Sequence, residues 1–94
     1  MHFEWDEEKD ASNQTKHGIS FRVAALVFDD PEAVSIQDNR FDYGEERWVT
    51  IGRVVFTIVY VAHTIFEEDD GEEIIRIVSA RKATPGEERI YLAR

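Results

Sequence analysis

Between residues 47 and 79 the chain carries successive stretches of strand-forming residues broken by turn signals, and this run constrains the fold more than any other feature. Residues 47–51 and 54–66 are rich in Val, Ile, Thr, Tyr and Phe, whose branched or flat side chains suit a pleated surface. Gly52-Arg53 reads as a turn between them. Glu68-Asp69-Asp70-Gly71 reads as a hairpin turn, because Asp-Gly accepts the positive φ that tight hairpins need. Residues 73–79 then read as the returning strand. The run is a meander of antiparallel strands. Its apolar side has to be covered by elements from elsewhere in the chain.

Those elements are signalled mainly by their caps. Phe3-Glu4-Trp5 reads as a short opening strand. Asp6 reads as a helix N-cap, with Glu7 and Glu8 in the first turn and Lys16 and His17 in the last, a charge order that complements the helix dipole. Gly18 supplies a left-handed stop. Lys9, Asn13 and Lys16 stand at i, i+4 and i+7, on one side of that helix. Ser20 starts a second helix, in which Phe21, Ala24, Ala25 and Phe28 form a buried stripe. Asp30-Pro31 ends it, since the residue before proline is pushed out of helical space. Residues 33–37 read as a strand and 38–44 as a polar loop. Thr84-Pro85-Gly86-Glu87 is a capping box with proline at the first helical position. It predicts a last helix over 85–93 with Ile90 as the inward anchor. The expected fold class is therefore α+β. One domain over residues 1–94 would carry an antiparallel sheet with two N-terminal helices and one C-terminal helix packed on it.

Composition removes several function classes. The chain has no cysteine, which excludes a disulfide framework, a thiolate zinc site and a cysteine nucleophile. His2, His17 and His63 fall in three different elements and form no metal-binding pattern; Asp69-Asp70-Gly71 lacks the alternating ligands of a calcium loop. Neither a phosphate-binding glycine loop nor a nucleophile elbow is present. No cofactor is expected. Residues 1–10 do not resemble a targeting segment, and the longest apolar stretch, 54–62, is too short to span a bilayer. The expected location is cytoplasmic. The net charge of −9 argues against long-range attraction to nucleic acid or an anionic membrane. The charge is uneven, however. Residues 66–73 hold six acids and no base, whereas 74–94 hold Arg76, Arg81, Lys82, Arg89 and Arg94 against Glu87 and Glu88.

What remains for chemistry is a set of basic and polar side chains. Lys16 and His17 end the first helix, Arg47 and Arg53 flank a strand, Arg76 and Arg81 bracket the last strand, and Arg89 and Tyr91 lie on the final helix. A ribonuclease that uses no metal can be assembled from such parts. RNA supplies its own nucleophile, the 2′-hydroxyl. The protein must take that proton, stabilise the charged pentacoordinate phosphate and protonate the leaving 5′-oxygen. Guanidinium groups suit the second task; histidine or lysine suits the proton transfers. Each residue also has a structural reading. His17 can serve the helix dipole, and His63, alternating with apolar neighbours, can be a satisfied core histidine. Arg76 can pair with an acid such as Glu46, and Arg89 with Glu88 or Asp30.

The order of these residues resembles the BrnT family of bacterial type II toxins. The matching stretches are Phe3-x-Trp5-Asp6-x-x-Lys9, Asn13, Lys16-His17-Gly18-Ile19-Ser20-Phe21 and Val27-Phe28-Asp29-Asp30-Pro31. They continue with Glu46-Arg47, Ile51-Gly52-Arg53, His63-Thr64, the run from Ile75 through Ser79-Ala80-Arg81 to Thr84, and Glu88-Arg89-x-Tyr91. The resemblance implies a RelE-like fold and an RNA-cleaving toxin that needs no metal. It implies a BrnA-like antitoxin partner with a ribbon-helix-helix domain, through which alone the complex would meet DNA and repress its operon. It implies catalytic roles for Lys16, His17, Arg53, Arg81 and Arg89, and RNA contacts for Lys9, Arg76 and Tyr91. A second reading keeps the antitoxin and drops the catalysis, leaving an interaction module. A homodimer and a toxin–antitoxin heterotetramer both remain open at this point.

Overall fold

The computed structural model describes residues 1–39 and 46–93. Residues 40–44 of the expected polar loop, and Arg94, lie outside them. The element order is β1 (His2–Glu4), α1 (Glu7–His17), α2 (Phe21–Ala24) running into a 3₁₀ helix (Ala25–Asp29), β2 (Val34–Gln37), β3 (Arg47–Val54), β4 (Thr57–Glu67), β5 (Glu73–Lys82) and α3 (Pro85–Leu92). The five strands form one sheet in the order β1-β5-β4-β3-β2. β2 through β5 are antiparallel as expected. β1 instead joins β5 in parallel, pairing His2, Phe3 and Glu4 with Ile74, Ile75 and Arg76. A parallel partner three residues long carries almost no sequence signal of its own. The class is α+β in a single domain.

The caps behave as their chemistry requires. Asp6 accepts from the amides of Glu8 and Lys9, and Gly18 closes α1 with φ 71°. Ser20 accepts from Val23 N at α2. Thr84 and Glu87 form both halves of the capping box on α3. The second helix differs from expectation: after four α-helical residues it tightens into 3₁₀ form. Phe21, Ala24 and Val27 are fully buried there, a period of three that matches the tighter winding.

The two faces of the sheet are covered by different helices. Val59, Val61, Ile75, Ile77 and Ala80 pack beneath Ile19, Phe21, Ala24 and Val27. On the other face Val49, Ile51, Ile58, Tyr60 and Ala83 pack with Tyr91 of α3. Tyr91 is the inward anchor of α3, 2% exposed, and the expected anchor Ile90 is 45% exposed. One residue of slip rotates a helix by about 100°, and the capping box alone does not set that rotation.

The expected turn at Gly52-Arg53 is not a turn. β3 runs through both residues, and the chain reverses at Val55-Phe56, between the paired Val54 and Thr57. Val55 sits there at φ 56°, a conformation that costs a β-branched residue energy. Gly52 serves a different purpose. A Cβ at that position would lie 3.0 Å from Val27 Cβ and 3.1 Å from Val27 O. Its bare backbone lets the 3₁₀ helix press onto β3. Gly52→Ala is expected to destabilise the fold by about 1–3 kcal/mol, the usual cost of overpacking, readable as a lowered urea midpoint; an unchanged midpoint would show that this contact can relax.

The open flank of β5 is closed by a side chain. β1 stops opposite Arg76. Beyond it, Asn13 of α1 donates to Ala80 O at 2.8 Å and accepts from Ala80 N at 3.1 Å, as a neighbouring strand would. The same amide nitrogen donates to Ile19 O at 2.8 Å. One buried carboxamide therefore ties α1, the α1–α2 connection and β5 together. Between β1 and this clamp, β5 carries a bulge: His63 pairs with Ile77 and Ala62 with Ser79, leaving Val78 as the extra residue.

Candidate functional site

The bulge and the clamp shape a groove along α1. Lys9, Lys16 and His17 line it from the helix, and Val78 and Ser79 from the strand, around a volume of about 270 Å³. The spacing of Lys9, Asn13 and Lys16 explains this. Asn13 faces Ala80 and is buried, so its neighbours one turn away on either side must flank the β5 edge. Lys9, Lys16 and His17 are all exposed. Their side chains form no ion pair or hydrogen bond with any described residue. Two lysines and a histidine thus share one concave strip and, among the described residues, none of them is ion-paired.

Arg81 lies two residues beyond Ser79, on the same side of β5, about 7 Å along the strand. Its guanidinium is already occupied. It stacks 4.0 Å above the Tyr60 ring and bonds Glu87 through both arms, at 2.7 and 3.0 Å. Glu87 also accepts from Thr84 N at 2.9 Å, so the ion pair is fused to the α3 cap. The hydrogen bond to Glu87 raises the Arg81 pKa above its ordinary value, and the same bond lowers that of Glu87. A phosphate approaching Arg81 would have to share it with, or take it from, Glu87.

Arg89 is exposed on α3. A Cβ at Gly86 would lie 3.7 Å from its Nη2, which places that guanidinium beside the first turn of the helix. Arg81 and Arg89 thus each reach a residue of the first turn of α3, Arg81 at Glu87 and Arg89 beside Gly86. Arg53 sits across the sheet on the same face, with its guanidinium carbon 5.9 Å from the centre of the Tyr91 ring. Tyr91 itself is buried and donates its hydroxyl to Asp30 at 2.7 Å; Asp30 also accepts from Arg53 N at 2.8 Å. Asp30 therefore bolts α3 and β3 to the end of the 3₁₀ helix, and Tyr91 acts through packing. Arg76 stands apart from the others, paired with Glu4 at 2.9 Å where β1 meets β5. Its partner is Glu4 and not Glu46, because parallel β1 brings Glu4 into register with it.

His63 belongs to the core. It is 2% exposed, under the edge of the Phe28 ring at 5.0 Å between centres. Its Nε2 shares a hydrogen bond of 2.8 Å with Thr50 Oγ1, which shares another of 2.8 Å with Ser35 Oγ. The chain of three polar side chains runs across β4, β3 and β2. Burial lowers the His63 pKa to about 4, against a smaller opposing effect of the Thr64 backbone. That backbone contact falls short of hydrogen-bond geometry, since Nδ1 has no partner among the described residues. Desolvation therefore decides the shift, and the ring is neutral at pH 7.

Two structural roles carried no readable sequence signal: the Asn13 clamp and the Asp30 bolt. Both depend on contacts across more than sixty positions, Asn13 to Ala80 and Asp30 to Tyr91. Among the described residues no helix is long and apolar enough to cross a membrane.

No curated protein matches the chain significantly. A family model does: the model described as ribonuclease toxin, BrnT, of type II toxin–antitoxin system matches residues 5–87. That span starts at Trp5 and reaches Glu87, so it includes α1, its groove, the bulged strand and the Arg81–Glu87 pair. A type II toxin–antitoxin system brings an antitoxin partner and, for a ribonuclease toxin, an RNA target. The chain belongs to the BrnT family of ribonuclease toxins.

Proposed function

We propose that the chain cleaves RNA without a metal, at the groove between α1 and the bulged edge of β5, and that a BrnA-like ribbon-helix-helix antitoxin restrains it. The observation that supports this reading most is the set Lys9, Lys16 and His17, exposed in one groove and, among the described residues, without an ion pair. In the proposed reaction the 2′-oxygen attacks phosphorus while the bond to the 5′-oxygen breaks. One proton leaves the 2′-hydroxyl and another reaches the 5′-oxygen. The products are a 2′,3′-cyclic phosphate and a 5′-hydroxyl. Imidazole is the side chain best suited to exchange protons near neutral pH, so His17 takes a proton-transfer role. Lys16 and Lys9 supply positive charge for the phosphate oxygens. Arg81, Arg53 and Arg89 would hold flanking phosphates, Arg81 only by sharing or exchanging Glu87.

Single-stranded RNA incubated with the purified protein in EDTA is expected to yield cyclic-phosphate ends. His17→Ala or Lys16→Ala should slow cleavage about 100-fold or more, the usual contribution of a positioned proton-transfer or electrostatic group. Cleavage at the wild-type rate by both variants would remove the α1 groove from the mechanism.

The second reading, a module that binds its antitoxin without cutting RNA, draws support from the neutralised state of Arg81 and the net charge of −9. Expression without the antitoxin separates the two. Growth arrest abolished by His17→Ala supports the ribonuclease; unimpaired growth with wild-type protein supports the module.

A further inference from the structure

The bulge in β5 decides which way the end of that strand faces. Ile75 and Ile77 alternate into the core beneath α2, and the next inward residue is Ala80, three positions on rather than two. The extra residue, Val78, makes the difference. Unbroken alternation would carry Ser79 and Arg81 into the apolar layer and Ala80 out of it. With the bulge, Ser79 pairs with Ala62 and Arg81 with Tyr60, on the side of the sheet that α3 covers. Both polar side chains are thereby spared burial against Phe21 and Val27, where a hydroxyl or a guanidinium would lack a partner.

Ser79 lines the α1 groove from the strand, together with Val78, while Lys9, Lys16 and His17 line it from the helix. None of the residues lining this groove is acidic. Ser79 is half-buried, and its hydroxyl makes no hydrogen bond with a described residue. Nor is the hydroxyl sealed inside the protein: among the described residues, the buried side-chain atoms without a partner belong to Arg47, His63 and Thr64. Ser79 therefore presents an unpaired hydroxyl to solvent where it lines the groove. It stands next to Ala80, which the Asn13 clamp fixes against α1, and two residues before Arg81.

We propose that Ser79 is a further substrate-contacting residue of the ribonuclease, its hydroxyl donating a hydrogen bond to a non-bridging oxygen of the phosphate under attack. This role rests on the functional reading above, which puts that phosphate in the α1 groove. Lys9 and Lys16 bring charge, but each is a point charge on a long flexible stem. A serine on a strand has a single side-chain torsion to Oγ, and the clamp on Ala80 steadies the backbone beside it. The non-bridging oxygen gains negative charge as the 2′-oxygen adds to phosphorus. The hydrogen bond from Ser79 strengthens with that charge, so it lowers the barrier more than it aids binding. Ser79 keeps its proton. The 2′-hydroxyl remains the nucleophile, and the two proton transfers are those already given.

The test measures kcat and KM for cleavage of single-stranded RNA in EDTA by the full-length wild type, Ser79→Ala and Ser79→Thr. Ser79→Ala is expected to lower kcat about 10- to 100-fold and to leave KM within about twofold, the pattern of a donor that acts in the transition state. Ser79→Thr restores the hydroxyl on a residue that suits a strand, and it is expected to regain most of the rate. Binding to a 2′-deoxy analogue, which lacks the nucleophile, is followed against salt. Ser79→Ala should leave the slope unchanged, because a neutral hydroxyl releases no counterion; Lys16→Ala should reduce it by about 0.7, the loss of one phosphate contact to a single strand. Thermal melts establish that each variant is folded. Wild-type kcat in Ser79→Ala, a loss that Ser79→Thr does not recover, a change confined to KM, or an altered salt slope in Ser79→Ala overturns the proposal and leaves the ribonuclease reading standing. A wild-type chain that cuts no RNA, or one that also cuts the 2′-deoxy analogue, overturns both.

Discussion

Asn13→Ala is expected to cost about 3 kcal/mol of folding stability, read as a large fall in the urea midpoint at an unchanged slope. Asn13 makes three hydrogen bonds to the backbones of Ile19 and Ala80, and its side chain is buried. Truncation leaves two carbonyls and one amide without partners. Each buried group so exposed costs about 1–3 kcal/mol; water entering at the sheet edge offsets part of the sum. Against a typical total of about 5–15 kcal/mol, the loss is severe. Asn13→Asp provides the sharper comparison. It preserves shape and can still accept from Ala80 N, yet its carboxylate faces the carbonyls of Ala80 and Ile19. It is expected to be at least as damaging as alanine at pH 7. A cost below about 1 kcal/mol for Asn13→Ala would mean that α1 is held to β5 by packing alone. The prediction also bears on function, since the same contact sets the width of the Lys9–Lys16–His17 groove.

The second large effect is a dependence on pH. His63 has a folded pKa of about 4, below its ordinary 6.5, because burial disfavours the charged ring. In the unfolded chain it takes up a proton as pH falls through about 6.5, and in the folded chain only near 4. Stability from this group is therefore complete above about pH 6.5 and is lost progressively down to about pH 4. With 1.36 kcal/mol per pH unit of difference, the wild-type protein should lose about 2 kcal/mol between pH 7.5 and pH 5, and about 3 kcal/mol by pH 4. His63→Gln keeps a polar atom near Thr50 and cannot titrate. Its stability should stay nearly flat over that window, even if it starts lower. Glu72 and Glu87, whose pKa values are lowered by the N-terminal amine and by Arg81, lose their contributions only at more acid pH. Parallel slopes for wild type and His63→Gln between pH 7 and 5 would rule out His63 burial as the source.

The negative charge of the chain carries less weight against RNA than its total suggests. Along the sequence the six acids of residues 67–73 stand directly before the arginines. In the fold they occupy the β4–β5 hairpin, at one end of the long strands. Arg81 pairs with Tyr60, seven residues along β4 from Glu67, or about 23 Å. Arg53 and Lys82 lie further still from the acids, by the same ladder. Screening at physiological salt reduces exposed interactions beyond about 8–10 Å. Arg53, Arg81 and Lys82 therefore feel the acidic tip weakly. Arg76 is the exception: it stays near that end and pairs with Glu4.

What the sequence determined by itself is local. Caps, turn residues and hydrophobic period act over a few positions, and they placed α1, the Asp30-Pro31 stop, the Asp-Gly hairpin and the capped α3 correctly. They also marked Lys9, Asn13 and Lys16 as one side of a helix. Tertiary structure decided everything that depends on which surfaces meet. Gly52 looked like a turn and is a point of close approach, because the demand on it comes from Val27, distant in sequence. Tyr91 took the inward place expected of Ile90, because Asp30 waits for its hydroxyl and Arg53 for its ring. Asn13 became a substitute strand only because β1 is too short to finish the β5 edge. The arginines shared a stretch of sequence and were then parted: Arg76 was given to Glu4 and Arg81 to Glu87, while Lys16 and His17 make no ion pair or hydrogen bond with a described residue. Composition counts charges, whereas pairing requires register, and register exists only once the sheet has formed.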